Sequence, residues 1–237
     1  MKMSNMPSKN NHAGFTLVEL MLALAISGII VGAIYLAYSS QQRTYLVQDQ
    51  VVEMQQNLRA GLMLMARDIR MAGYDKNGTG KYSITTATAS KLVFSADLND
   101  DGGAPGAGET MTYELYTPPG AGMTSLRRIA GQASIADNIE AIEFQYLDSA
   151  GAVTTTLSKI RTIRVSILAR AGKPDRKFTN STMYCPASHP VKNLTTTPPQ
   201  CEDSAGATLA SATWGPYSDN YRRRLLITTI NCRNMGL

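Results

Sequence analysis

Oxygen-bearing side chains cluster near the middle of the sequence. Carboxylate and amide oxygens recur at alternate positions of residues 97–102 (DLNDDG), and a glycine follows them, as at the start of a calcium-binding loop. An EF-hand would have Glu at its twelfth position, where this chain has Gly108. The pattern predicts either a calcium site of another kind or a solvated acidic turn, and we expect no other cofactor. The candidate ligands are Asp97, Asn99, Asp101 and Glu109.

The three cysteines all lie beyond residue 184, so a disulfide requires that this part of the chain face an oxidising compartment. Cys185 and Cys201 lie in one polar segment with few apolar anchors, and we predict that they pair. Cys232 alternates with apolar residues in the last predicted strand, so we expect it to be a free core thiol. A Cys201–Cys232 bridge is the alternative.

The basic run Arg222–Arg224 raises the question of nucleic acid or anionic lipid as a partner. Strand alternation would split these arginines between two faces, and no aromatic side chains interleave with them. A solvated edge strand protected by charge is therefore favoured, and a net charge of +5 over 237 residues gives no argument for nucleic acid.

Catalytic chemistry has little support in the composition. The two histidines are His12 and His189, and His189 stands alone beside a proline. A zinc site or a catalytic triad would lack its usual parts, so we expect no enzymatic activity.

The element that organises the chain is its N-terminal apolar run. Residues 15–38 are nearly all apolar and, as a helix of roughly 35 Å, would cross a hydrocarbon core of about 30 Å. Glu19 is unexpected there, because an ionised acid at the centre of a membrane segment costs on the order of 2.5–3.5 kcal/mol. A secretory signal peptide would have a shorter apolar core, and a plain anchor would not explain Glu19. Glu19 therefore needs a partner.

This run resembles the signal and N-terminal helix of type IV pilins and type II secretion pseudopilins. The matching features are a hydrophilic leader with Lys2 and Lys9, Gly14 before the cut, Phe15 as the first mature residue and Glu19 as the fifth. The resemblance implies that a prepilin peptidase cuts between Gly14 and Phe15 and N-methylates Phe15. It also implies that Glu19 pairs with a neighbouring subunit's amino terminus during fibre assembly.

The resemblance and the charges together predict the location and partners of the protein. Lys2 and Lys9 precede the apolar run, so the positive-inside rule keeps that end cytoplasmic and places the C-terminal domain in the periplasm. We expect a single pass through the inner membrane, and a place in the extracellular pilus after assembly. The implied partners are the prepilin peptidase, other major and minor pilins, the inner-membrane assembly platform and membrane lipid.

Four regions follow from these patterns. Residues 1–14 are a cleaved leader, 15–38 the transmembrane and assembly half of a helix, 39–73 its amphipathic half, and 74–237 a β-rich periplasmic domain. We predict one helix from Phe15 to about Ala72, ended by Gly73, with Asp68 among its polar positions. Many pilins have a proline near the middle of the apolar segment, where this chain has Leu36. The apolar stripe of the second half is Val47, Val51, Met54, Leu58, Leu62, Met65, Ile69 and Ala72.

Beyond Tyr74 the apolar residues alternate, which predicts antiparallel strands and therefore an α+β pilin fold with the long helix packed on a sheet. Residues 171–221 are rich in Pro, Ser, Thr and Asn and should form a long surface loop or several short excursions. The predicted strands are 91–96, 110–116, 123–130, 139–147, 160–168 and 222–231.

The globular part has a narrower resemblance to PilW-type minor pilins. It rests on RDIRMAGYD from Arg67, VFSADLNDDG from Val93, the two strands IEAIEFQYLD and IRTIRVSILAR, and RRRLLITTINCRN near the end. The resemblance implies a minor type IV pilin that takes part in pilus assembly initiation or tip formation. J-type minor pseudopilins of type II secretion share this outline and are the first alternative. A tip adhesin or DNA-binding pilin is the second.

Overall fold

The chain divides by its contacts into two units, the first ending at Gln48 and the second beginning at Asp49. Most of the expected leader, including Lys2, Lys9 and His12, lies outside the described residues. The computed structural model describes residues 14–106, 108–120, 122–129, 133–208 and 213–236.

One helix, α1 (Leu17–Met71), runs through both units without a break. It persists because no proline occurs between residues 15 and 104 and because good helix formers such as Leu, Ala, Met and Gln are frequent. It ends before Gly73, whose φ of +74° is a left-handed conformation that glycine adopts at little steric cost. The predicted helix is confirmed to within two residues at each end.

In the described part of the second unit, ten strands and one 3₁₀ turn follow the helix. The strands are β1 (Ile84–Ala87), β2 (Lys91–Ser95), β3 (Thr110–Tyr116), β4 (Ser125–Arg128), β5 (Ala133–Asp137), β6 (Ile139–Leu147), β7 (Thr162–Arg170), β8 (Val191–Asn193), β9 (Gln200–Glu202) and β10 (Arg223–Asn231). The turn is Leu157–Lys159.

The strands form two main antiparallel sheets and a ribbon. A five-stranded sheet has the order β1-β2-β3-β4-β5, a three-stranded sheet has the order β10-β7-β6, and β8 pairs with β9. The chain passes between the main sheets at Asn138, the residue between β5 and β6, which takes a φ of +59°. The predicted α+β class, a long helix with antiparallel β-structure, is confirmed, although the strands divide between two sheets.

The amphipathic half of α1 packs on this β-structure within the second unit. From Met54 onward the predicted stripe is buried in a common core with Phe94, Met111 and Leu126, whereas Val51 is only half-buried at its edge. Gly61 allows close approach to β5, because an added Cβ would lie 2.8 Å from the Cβ of Ala136. Burial of apolar side chains at about 25 cal/mol per Å² therefore holds this half of the helix in place.

Four strands escaped the sequence-based prediction. β1 reads ITTA and has a single strongly buried apolar residue, Ile84, while β5, β8 and β9 are no longer than five residues. Such strands are held by ladder hydrogen bonds to their neighbours more than by an apolar face, so their periodicity is weak.

The polar segment 171–221 is a set of short excursions rather than one loop. Isolated bridges pair Asn180 with Asp219 and Tyr184 with Trp214, and the β8–β9 ribbon lies between them in sequence. Its small apolar cluster consists of Met183, Cys185 and Cys201.

Candidate processing and assembly site

The segment before α1 presents an accessible Gly14–Phe15 junction. Both residues precede the first helical residue, Leu17, and the Phe15 side chain is 91% exposed. No described heavy atom lies within 4 Å of where a Cβ on Gly14 would stand. The described chain therefore sets no steric requirement for glycine at this position, and such a requirement would have to come from an enzyme that binds the junction.

Thr16 and Glu19 cap the first turn of α1 reciprocally. The Glu19 carboxylate oxygen Oε2 accepts hydrogen bonds from the Thr16 backbone N–H and hydroxyl, both at 2.9 Å. The Glu19 backbone N–H in turn donates to the Thr16 hydroxyl oxygen at 3.2 Å. This is a capping box, in which a Thr and a Glu three residues apart satisfy N–H groups that the helix leaves unpaired.

The capping box gives Glu19 hydrogen-bond partners within its own chain. The T-x-x-E spacing of Thr16 and Glu19 is itself the sequence signal of a capping box. Within one chain Glu19 already accepts two hydrogen bonds, so it is not an isolated acid in the apolar segment. A negative carboxylate in the first turn also interacts favourably with the helix dipole.

The helix after the capping box exposes a long apolar surface. Large side chains from Leu17 to Tyr38 are exposed, and none of the most apolar stretch is buried within the described chain. This stretch is long and apolar enough to span a membrane. Exposed apolar surface of this extent requires lipid or other protein helices around it.

Comparisons with known proteins agree with this geometry. The prokaryotic N-terminal methylation motif matches residues 9–35, which include the Gly14–Phe15 junction and Glu19. The family model of prepilin peptidase-dependent protein B (PpdB) matches residues 47–182, more than half of the chain. This chain belongs to the PpdB family. It is thus a pilin-like protein that depends on prepilin peptidase, and a structural subunit rather than an enzyme.

Among solved structures, this PpdB-family chain is similar to a type IV-like pilin from Thermus thermophilus. The two are 15% identical, the match covers 77% of this chain and 97% of the other, and the TM-score is 0.43. The comparison with curated proteins gives no match.

The structure places the candidate calcium ligands together in the loop between β2 and β3. Oxygens of Asp97, Asp101 and Glu109 lie within 4.8 Å of one another. Asn99 instead hydrogen-bonds Asp101, accepting from its backbone N–H at 3.0 Å and donating to its carboxylate at 2.9 Å. Three of the four side chains could thus share one ion, while the fourth positions a ligand.

The cysteines are arranged as the sequence predicts. Cys185 and Cys201 form a disulfide with their Cα atoms 5.5 Å apart, which joins the start of the excursion to β9. Cys232 is free and buried in the main core. Burial raises the pKa of the Cys232 thiol to about 12, so this group is neutral and unreactive near neutral pH.

The prediction of a solvated basic edge was wrong for Arg223. Its side chain is 1% exposed, forms ion pairs with Glu140 and Asp219, and lies over the Tyr217 ring at 3.7 Å. Arg222 pairs with Asp175 at 2.8 Å, so of the three arginines Arg224 alone fits the prediction. Pairing with carboxylates distant in sequence makes these arginines structural, and it leaves little free positive charge for a nucleic acid.

Asp68 was also misassigned to the polar face of the helix. It is buried, and its Oδ2 accepts a hydrogen bond from the Tyr113 hydroxyl at 2.7 Å and pairs with Arg128 at 2.5 Å. Arg67 approaches its other oxygen at 3.4 Å from the solvent side. Helical spacing alone could not reveal this, because Tyr113 and Arg128 both come from the sheet.

Proposed function

We propose that this PpdB-family protein is a minor type IV pilin of the PilW type, which helps to initiate pilus assembly or to form the tip. In this proposal it sits in the inner membrane with its N-terminus cytoplasmic and its globular domain periplasmic. A prepilin peptidase cuts between Gly14 and Phe15 and methylates Phe15, and α1 then joins other pilins at the assembly platform. The observation that carries the proposal is an exposed apolar helix preceded by an accessible Gly14–Phe15 junction.

The continuity of α1 supports a role outside the fibre shaft. The helix runs from Leu17 to Met71 without a break, and Leu36 stands where many pilins have a proline. Proline would remove a backbone hydrogen bond and favour local melting of the helix, whereas Leu36 keeps this hydrogen bond. A subunit that keeps a rigid helix suits the start or the end of a fibre better than a shaft that must rearrange.

Glu19 has two roles in this proposal. In the single chain it caps α1 through Thr16, and in the assembly it meets the positive amino terminus of a neighbouring subunit. Cleavage before Phe15 creates such an amino terminus on every mature subunit. Among apolar helices water cannot compensate either charge, so pairing them offsets a desolvation cost of several kcal/mol per ion.

Two nearly isosteric variants separate these roles. Glu19→Gln keeps a capping residue, since Gln also serves in capping boxes, but it removes the negative charge. Thr16→Val removes both hydroxyl hydrogen bonds and keeps the charge. The variants are expressed as full chains in cells with the pilus machinery, and incorporation is measured by immunoblotting of sheared fibres. We expect Glu19→Gln to lower incorporation about tenfold, the loss of about 1.4 kcal/mol, and Thr16→Val to change it less than about twofold.

Processing is scored separately by mass spectrometry of the mature N-terminus. Both variants should begin at Phe15, whereas a bulky residue at Gly14 should leave an uncleaved precursor. Normal incorporation of Glu19→Gln together with poor incorporation of Thr16→Val would mean that Glu19 acts only as a helix cap, and would refute its pairing with a neighbouring amino terminus. A native polypeptide that begins anywhere but at Phe15 would refute the processing site.

The alternatives predict different consequences of deleting the gene. A minor pseudopilin of type II secretion would share the processing and the need for Glu19, but its loss would stop protein secretion and leave pili intact. A DNA-binding pilin is less supported, because carboxylates already engage Arg222 and Arg223.

A further inference from the structure

The acidic cluster, defined as Asp97, Asp101 and Glu109, lies just beyond the C-terminal end of α1. Backbone hydrogen bonds attach this region to the helix exit, from the Gly73 N–H to the Ser95 carbonyl at 3.0 Å and from the Asp97 N–H to the Tyr74 carbonyl at 2.8 Å. The carboxylates are thus held by a fixed backbone rather than by a free hairpin tip.

Two members of the acidic cluster are buried. Asp97 is 0% exposed and Glu109 is 4% exposed. The Asp97 oxygen Oδ2 accepts a hydrogen bond from the Gly102 N–H at 3.2 Å, but its Oδ1 has no hydrogen-bond partner among the described residues. A buried carboxylate oxygen without a partner is costly, so this atom marks a place for a ligand that the described chain does not provide.

A second buried polar atom without a described partner belongs to a segment that contacts the same loop. The Tyr82 hydroxyl is buried and makes no hydrogen bond to any residue that the structure describes. The chain neighbours of Tyr82 contact this loop: the Lys81 ammonium donates to the Gly102 carbonyl at 3.1 Å, and the Ser95 N–H donates to the Ser83 carbonyl at 3.0 Å. A second buried polar group without a described partner thus belongs to the segment that runs beside the loop of the acidic cluster.

No lysine or arginine of the described residues forms an ion pair with the acidic cluster. Two other acids in this part of the protein do have cationic partners: Asp68 has Arg128 at 2.5 Å and Asp100 has Lys76 at 2.9 Å. By contrast, no lysine or arginine nitrogen of the described residues lies within 4.0 Å of a carboxylate of the cluster. The Lys81 ammonium lies near this loop, but it donates to the Gly102 carbonyl, at 3.1 Å, and not to a carboxylate of the cluster. Three crowded carboxylates, two of them buried, thus lack an ion-pair partner among the described residues.

We propose that the acidic cluster binds a calcium ion, with Asp97, Asp101 and Glu109 as protein ligands and Asn99 positioning Asp101. Calcium prefers carboxylate oxygens, tolerates irregular geometry and lies about 2.3–2.6 Å from its ligands, so oxygens up to about 5 Å apart can share one ion. Magnesium needs shorter distances and a near-ideal octahedron, so an irregular loop with three carboxylates favours calcium. The bound ion would fasten the β2–β3 loop to the helix exit.

The test compares two acids of the same loop. Asp101→Asn removes a ligand charge at an exposed position, whereas Asp100→Asn removes an equal charge from a residue that pairs with Lys76 outside the cluster. The full chain is purified in detergent, stripped with a chelator, and titrated with CaCl₂ by calorimetry and by thermal melting. We expect wild type to gain about 3–6 °C in Tm at calcium ten times the Kd.

The two variants should differ in calcium affinity and in melting temperature. Asp101→Asn should weaken calcium binding at least about tenfold, and Asp100→Asn by less than about twofold. In chelator, Asp101→Asn should melt at or above the wild-type temperature, because it relieves repulsion between the carboxylates. With calcium it should melt below wild type. A misfolded variant would not show this change of sign in the Tm difference. No heat with millimolar calcium, equal losses in both variants, or an equal Tm gain from magnesium would overturn the proposal.

Discussion

Replacing Arg128 by Met tests how much the buried ion pair at the end of α1 contributes to stability. The Arg128 guanidinium pairs with Asp68 at 2.5 Å, and the side chain of Arg128 is 21% exposed. Met keeps most of the apolar stem and removes the charge. Asp68 would then retain the Tyr113 hydroxyl and the distant Arg67 as its described partners.

The expected loss of unfolding free energy in Arg128→Met follows from the burial of the ion pair. Breaking a buried ion pair by removing one partner costs about 3–5 kcal/mol, and because some water still reaches Arg128 we expect about 2–4 kcal/mol. For a domain of this size that lowers Tm by about 5–15 °C. Arg67→Met is the matched control: it contacts the same carboxylate, but its side chain is 71% exposed, so we expect at most about 0.5 kcal/mol.

The assay is thermal unfolding of the full chain in detergent, followed by near-ultraviolet circular dichroism and by alkylation of the buried Cys232. The double variant Asp68→Asn/Arg128→Met should recover at least about half of the loss, because no uncompensated charge remains in the core. Equal losses for Arg67→Met and Arg128→Met, or no recovery in the double variant, would refute the argument from burial.

Two further predictions concern the excursion and its junction with β10. Replacing Cys185 and Cys201 by Ser should cost about 3 kcal/mol of loop-closure free energy, so limited proteolysis within 171–221 should quicken while Cys232 stays unreactive; equal protection of both forms would contradict this. Hydrogen bonds from Arg223 hold the pKa of Asp219 below its usual value, so this pair stabilises the fold above about pH 4 and the contribution is lost as the pH falls. Urea midpoints measured from pH 7 to pH 3 should therefore drop less steeply in Arg223→Met than in wild type, and parallel curves would count against this role.

The sequence predicted features that depend on local spacing. The three- and four-residue spacing of apolar side chains predicts the stripe of α1, and Gly73 predicts its end. Cys185 and Cys201 lie close enough in sequence to suggest their disulfide. Asp68 and Arg223 could not be placed in the same way, because their burial depends on partners 60 and 83 residues away. Local spacing also contains the Thr16–Glu19 capping box, which the prediction of a partner on another subunit did not include.

The helix exit has a mechanical consequence. Tension carried along α1 enters the second unit first through the buried stripe that begins at Met54, and last through Gly73 and Tyr74, which two backbone hydrogen bonds tie to the residues at the end of β2. A pull along the helix would therefore shear side-chain packing before it loads the ladder hydrogen bonds inside the sheets.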